Sequence, residues 1–270
     1  MPDGSAVRAA KASMITTRKV RRAVVLGIVA VFAAGLAVPV LSAQTANNAK
    51  QNLAGWNYTE LVENAPATKK GLPLIIVLHS SGSSPADFAQ YISGFTKPVR
   101  ILLLEGNYTN EKGGFSFFVR SPRSYYKDLT DDERKEHLLT VAENVSRFIT
   151  AATKKYAPSK APVIIGASQG GDISYVIAVK YGKLISHSFP LLATIDDRII
   201  RGGCPTKVVG IDIFHGTADP IVSLSDVMTH ASEAETAGFR VKVHKYEGVK
   251  HDISPEMKAD YQALIAKVLF

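Results

Sequence analysis

Three short stretches of this chain carry side chains that together could activate a hydroxyl for attack on a carbonyl carbon. Ser168 lies in "GASQGG", residues 166–171, at the end of the apolar run "APVIIG". This fits G-x-S-x-G, in which a serine occupies a sharp strand-to-helix turn, small neighbours relieve the crowding, and the hydroxyl is held out toward a substrate. An ordinary strand-to-helix loop is the competing reading of the same residues. A serine hydroxyl is a weak nucleophile until a base takes its proton, and that base needs an acid to fix its tautomer and stabilise its cation. Asp219 in "HGTADPIV" and His251 in "GVKHDISPE" follow in the order serine, acid, histidine, the order of enzymes built on this turn.

Other residues compete for these roles. Of the seven histidines, His79 and His215 stand at strand ends and read as loop-holding groups. His137 belongs to a long helix, His187 and His230 lie in or beside helices, and His244 falls inside a strand. His251, between the last strand and the last helix, is the best placed. Asp219 outranks Asp212, which falls inside a strand, and Asp196 and Asp197, which lie in a connection; Asp252 adjoins the base itself. The anion formed on a carbonyl oxygen needs amide donors, each worth roughly 10²–10³ in rate. Gln169, directly after the serine, offers one amide, and Ser81 in "LHSSGSS" is the choice for the second; a plain flexible turn is the alternative for that loop.

These groups need elements to carry them. "LIIVL" (74–78), "VRILLL" (99–104) and "PVIIG" (162–166) are continuous apolar runs, as expected of strands covered on both faces. "HSFPLLA" and "KVVGIDIFHG" read as two further strands, "FRVKVHKYEG" as an alternating one, and "WNYTELV" as an edge strand. Between Glu133 and Tyr156 the residues Leu138, Val141, Ala142, Val145, Phe148, Ile149 and Ala152 recur at spacings of three and four, one stripe of a long helix. Thr130 or Asp131 caps it and Pro158 blocks its continuation. Further helices are expected over 169–181, 223–237 and 255–269. Apolar strands alternating with helices imply a mostly parallel sheet covered on both sides, an α/β fold, and the three chemical groups all fall after strands, where such sheets bind ligands.

The chain has 270 residues and a formal charge of +8. Arg18, Lys19, Arg21 and Arg22 precede an uncharged run of about sixteen residues, Ala23 to Val38, and then the small-residue stretch "VLSAQTA". Basic, apolar and small segments in that order read as a secretory signal peptide over residues 1–43, short of the ~20 apolar residues a spanning helix needs. Met14 also opens a well-formed leader, so residues 1–13 read as an over-extended start. Removing residues 1–43 takes away six basic residues and one acidic one and brings the charge from +8 to +3. The remainder, expected to be one domain, shows no Lys/Arg stripe interleaved with aromatics, which argues against a nucleic-acid partner. It also shows no amphipathic segment for stable membrane association. Cys204 is the only cysteine, so neither an internal disulfide nor a thiolate metal cluster is available.

"LHSSGSS", "GGFSFF", "GASQGG", "HGTADPIV" and "GVKHDISPE", in this order and at these separations, resemble the phospholipase/carboxylesterase family of α/β hydrolases, which includes lysophospholipases and acyl-protein thioesterases. The likeness runs from about Leu72 to the C-terminus. It implies an α/β-hydrolase fold, Ser168, Asp219 and His251 as a catalytic triad, and Ser81 and Gln169 as oxyanion donors. The chain departs from the family pattern in three places. His79-Ser80 replaces His-Gly, Phe115-Ser116-Phe117-Phe118 replaces an aromatic-Trp-Phe segment, and Asp172 stands where a small or apolar residue is commoner. The expectation is an exported serine esterase, periplasmic or secreted, acting on small-molecule esters through an acyl-enzyme and requiring no metal or organic cofactor. Phe115, Phe117 and Phe118 are candidates for lining an acyl or aromatic pocket, with core packing as the alternative. Acyl transfer or peptide cleavage by the same three groups, and a non-catalytic periplasmic binding protein on a hydrolase scaffold, are the rival readings.

Overall fold

The chain winds in two directions from its third strand, and that reversal locates the site. The computed structural model describes residues 45–110, 113–201 and 209–270; the expected leader and Cys204 lie outside them. Strands β1 (Thr45–Leu53), β2 (Trp56–Glu63), β3 (Leu74–Leu78), β4 (Val99–Leu104), β7 (Val163–Ala167), β8 (His187–Leu191), β9 (Gly210–Gly216) and β10 (Arg240–Tyr246) form one sheet in the order β1-β2-β4-β3-β7-β8-β9-β10. The six strands from β4 to β10 run parallel, and β2 lies antiparallel to β4. The small pair β5 (Tyr108–Thr109) and β6 (Phe115–Ser116) stands apart. The helices are α1 (Pro85–Ile92), α2 (Asp131–Tyr156), α3 (Gln169–Tyr181), α4 (Asp197–Ile200), α5 (Leu224–Thr236) and α6 (Pro255–Leu269).

Side chains of the central strands alternate between two apolar layers, as the two-residue period of a strand requires. Leu74, Ile76 and Leu78 join Leu138, Val145, Phe148 and Val176 of α2 and α3 in one layer. Ile75 and Val77 join Phe88 and Ile92 of α1 and Tyr261 and Ile265 of α6 in the other. Each such side chain, fully buried, contributes ~1.5–3 kcal/mol relative to exposure. Helix α2 begins where Thr130 Oγ1 accepts from the Glu133 amide while the Glu133 carboxylate accepts from the Thr130 amide, a reciprocal cap that settles the choice between Thr130 and Asp131.

Three expectations change. The segment "WNYTELV" is not an edge strand, because β1 pairs along its outer side; the Ala54-Gly55 turn, with φ of 50° and 83°, is the type I′ geometry that closes such hairpins. His187 opens β8, as the reading of "HSFPLLA" as a strand has it, and so lies in no helix. Helix α1 had no counterpart in the sequence reading, although Ser84 caps it and Pro85 starts it.

Because β4 lies on one side of β3 and β7 on the other, the carboxyl ends of β3 and β7 flank a crevice where connections diverge, the usual ligand position in such sheets. Backbone contact there is close. A Cβ on Gly170 would lie 2.2 Å from the Leu78 carbonyl oxygen, one on Gly166 2.1 Å from the Gly170 oxygen, and one on Gly171 2.4 Å from Ala193 Cβ. The loop after β3 is then held by His79, 1 % exposed. Its Nδ1 donates to the Ser80 carbonyl (2.7 Å) and its Nε2 accepts from the Gly106 amide (3.0 Å). Burial pushes the His79 imidazole down to about 4, against the raising influence of the Ser80 carbonyl.

Two outcomes follow for stability. Gly170→Ala is expected to cost about 3 kcal/mol by overpacking, read as a lower urea midpoint. Since His79 stays neutral in the fold to about pH 4 but binds a proton near 6.5 when unfolded, its contribution is complete above pH 6.5 and fades as pH falls toward 4, by about 3 kcal/mol at most. Urea midpoints measured from pH 7.5 to 4.5 should therefore fall less steeply for His79→Gln than for the parent.

Candidate active site

Ser168 follows β7 directly and occupies the residue before α3 with φ 52° and ψ −115°. A non-glycine residue at positive φ is a strained conformation worth of order 1–3 kcal/mol. It persists here because the Ser168 amide donates to the Leu191 carbonyl (2.9 Å), its own carbonyl accepts from the Asp172 amide (2.9 Å), and the flanking glycines let β3, β7 and α3 close around it. Ser168 thus stands at a sharp strand-to-helix turn.

The loops after β9 and β10 bring the other two groups in. The Thr217 amide donates to Tyr246 O (2.9 Å) and the Ala218 amide to Val249 O (3.0 Å), so the two loops form one pinned unit. Asp219 Oδ1 accepts from the amides of Ile221 (2.8 Å) and Val222 (3.0 Å), and its Oδ2 lies 2.7 Å from His251 Nδ1. His251 Nε2 lies 3.1 Å from Ser168 Oγ. Burial acts to raise the Asp219 carboxyl, but the Val222 amide, His251 and the Ile221 amide outweigh it and hold the group below the usual carboxylate range. A charged Asp219 fixes the His251 proton on Nδ1 and leaves Nε2 to accept from the serine, the arrangement that proton abstraction requires. His215, fully buried, donates from Nε2 to Val222 O (2.9 Å) and so braces the loop bearing Asp219. Asp212 is engaged elsewhere, between His187 Nε2 and His244 Nε2 at 2.6 Å each.

A cavity of about 200 Å³ opens at Ser168 and His251, walled by Ser80, Phe88, Leu192 and Ile253. Ser81 lies in the same loop as Ser80, with its hydroxyl turned to Arg120 Nη2 and Asn110 Nδ2. Neither Ser80 nor Ser81 has a positive φ, which falls on Gly82 instead (79°), so serine in place of glycine at position 80 brings no backbone strain. The Gln169 amide is the first of α3, a position with no carbonyl partner inside the helix.

Gln169 also does what the sequence reading had not assigned to it. Its buried side chain accepts from the Phe117 amide (3.1 Å) and meets Ser116 Oγ (3.1–3.2 Å), tying the middle loop to the serine turn. Phe117 and Phe118, candidates for a substrate pocket, are core residues, 1 % and 0 % exposed. Phe117 packs on His79 (4.6 Å between ring centres) and Phe118 stacks on Tyr125 (4.2 Å). Phe115 is half-buried, and its amide and carbonyl bond Ser83 and Gly82. None of the three walls the cavity at Ser168. Phe88 and Leu192, which do, lay in segments without a chemical signal.

A second cavity, of about 690 Å³, adjoins the same two segments one step further on, reaching Asp172 of α3 and Thr194 of the loop after β8. Burial pushes the Asp172 carboxyl up to about 8, opposed by the Thr194 amide, which donates to Asp172 Oδ1 at 3.3 Å.

Solved structures share this architecture. The carboxylesterase of Bacillus cereus superposes with a TM-score of 0.62 at 18% identity, covering 79% of this chain and 94% of that one. The carboxylesterase of Mesorhizobium loti gives 0.62 at 17%, covering 80% and 96%. SOBER1 of Arabidopsis thaliana gives 0.59 at 22%, covering 73% and 99%. At these identities the likeness establishes an α/β-hydrolase fold. The Phospholipase/Carboxylesterase sequence family matches residues 62–269, most of the chain, and with that match the protein belongs to the phospholipase/carboxylesterase family of α/β hydrolases.

Proposed function

We propose that the protein is an exported serine esterase that cleaves small carboxylic esters through an acyl-enzyme. The observation that carries this reading is the continuous hydrogen-bonded chain from Ser168 Oγ through His251 to Asp219, set beside a cavity. In the proposed sequence Ser168 Oγ attacks the ester carbonyl carbon while its proton passes to His251 Nε2. Asp219 stabilises the resulting imidazolium. The carbonyl oxygen, now an anion, is received by the amides of Gln169 and Ser81. Collapse of the tetrahedral species expels the alcohol, which takes the proton from His251 and leaves an acyl group on Ser168. Water then repeats the steps, with His251 taking its proton, and releases the acid. No step requires a metal or an organic cofactor.

Export rests on the sequence alone: four basic residues, an uncharged apolar run and a small-residue stretch near the start of the chain. N-terminal sequencing of protein recovered from the periplasm or medium tests it, with a start near residue 44 expected and an intact leader contradicting it.

Purified protein is expected to be labelled by a fluorophosphonate probe and to hydrolyse p-nitrophenyl esters. Ser168→Ala should abolish labelling and lower kcat by roughly 10⁶-fold. Asp219→Asn, which preserves shape but permits the wrong imidazole tautomer, should lower kcat by roughly 10⁴-fold. A folded parent that neither reacts with the probe nor turns over any ester would overturn the reading. Turnover with an added alcohol separates hydrolysis from acyl transfer, free acid being the expected product.

A further inference from the structure

Asp172 is a carboxyl group that the fold places next to the nucleophile without giving it a cation. It lies on α3 four residues after Ser168, about 6 Å along the helix, and among the described residues its carboxylate accepts one hydrogen bond, from the Thr194 amide at 3.3 Å. A carboxylate in the first turn of a helix gains from the helix dipole, and that alone would explain an acid at this position on a solvated surface. Asp172 instead faces the cavity of about 690 Å³, together with Tyr125, Thr194 and His230.

The cations around that cavity are committed elsewhere. Arg134 pairs with Asp131, Lys135 with Asp132 and Glu136, and Arg198 with Asp196 and Asp132. His230 Nδ1 is bonded to Thr194 Oγ1 at 2.9 Å. Among the described residues no ion pair includes Asp172 or Asp226, both of which line the cavity, whereas Asp197 pairs with Arg201. The aromatic wall is Tyr125, 8 % exposed and fixed by stacking on Phe118. A carboxyl group and a tyrosine side chain lining one cavity suit an organic cation, which gains from the charge and from a large, partly apolar wall.

We propose that this cavity receives an ammonium group carried by the ester, with the Asp172 carboxylate as its counter-ion and the Tyr125 ring as its wall. The inference rests on Ser168 acting as an esterase nucleophile. In the protein alone burial pushes the Asp172 carboxyl up to about 8; an entering cation supplies the missing charge and displaces the carboxyl proton to solvent. The neighbouring position of Ser168 sets the spacing, so the cation belongs four to six bonds from the scissile carbonyl, on either the alcohol or the acyl side. Asp172 then acts as a specificity determinant.

The test uses two matched pairs of esters that differ only in charge. On the alcohol side these are 4-(trimethylammonio)butyl acetate and 5,5-dimethylhexyl acetate. On the acyl side they are ethyl 6-(trimethylammonio)hexanoate and ethyl 7,7-dimethyloctanoate. For one pair at least, the ratio of kcat/KM, cationic over neutral, should exceed one in the parent and fall about tenfold or more in Asp172→Asn, which keeps the acceptor for the Thr194 amide. Asp172→Ala should behave alike, and the responsive pair identifies the side. An unchanged ratio for both pairs overturns the inference. If the parent turns over no ester, the esterase reading fails separately. Calorimetric titration with 4-(trimethylammonio)butanol then decides the cation site alone: binding at least tenfold weaker in Asp172→Asn upholds it, and equal or absent binding in the parent refutes it.

Discussion

The site depends on a steric constraint: three backbone segments meet at distances that exclude a side chain. Gly166, Gly170 and Gly171 each have a backbone or Cβ atom within 2.4 Å of where their own Cβ would stand. That proximity lets the chain leave β7, turn at Ser168 with a positive φ, and enter α3 while touching β3. The strain at one serine is held by the packing around it together with the two backbone bonds it makes, to Leu191 and Asp172. Where such a turn falls in the sheet follows from topology, since only at the boundary between β3 and β7 do the connections diverge and leave room above the strand ends.

The remaining polar groups are brought to this turn by backbone pinning. Asp219 and His251 come from two loops joined by amide-carbonyl bonds before their side chains meet. The loop after β3 is fixed by His79 from below and by Phe115 of β6 from the side. Gln169 closes the set, because its side chain reaches the middle loop while its amide faces the serine turn. Little rotamer freedom is left to lose when a substrate arrives, the condition under which oriented groups are most effective.

Much of this could be read from the residues. The central strands announce themselves because burial on both faces demands unbroken apolar runs such as "LIIVL", and α2 because its stripe is long and its cap is reciprocal. The order of Ser168, Asp219 and His251 could be read because each stands just past a strand. What escaped has physical reasons. Strand β1, "TANNAKQNL", has no apolar alternation, and its pairing is dictated by a two-residue turn. Helix α1 is too short for periodicity to show. Phe117 and Phe118 looked like a substrate wall because sequence gives residue type without direction; the loop turns both rings inward, onto His79 and Tyr125. The charge environment of Asp172 depends on ion pairs within α2 and between α2 and α4, which no local pattern encodes.

His251 follows β10, which stands at one end of the sheet and among the described residues has a hydrogen-bonded neighbour on one side only, with several solvent-facing positions. Rims of sheets open at lower cost than their centres. Warming will therefore loosen β10, and with it the loop after it that bears His251, while the interior still holds Ser168 in its turn.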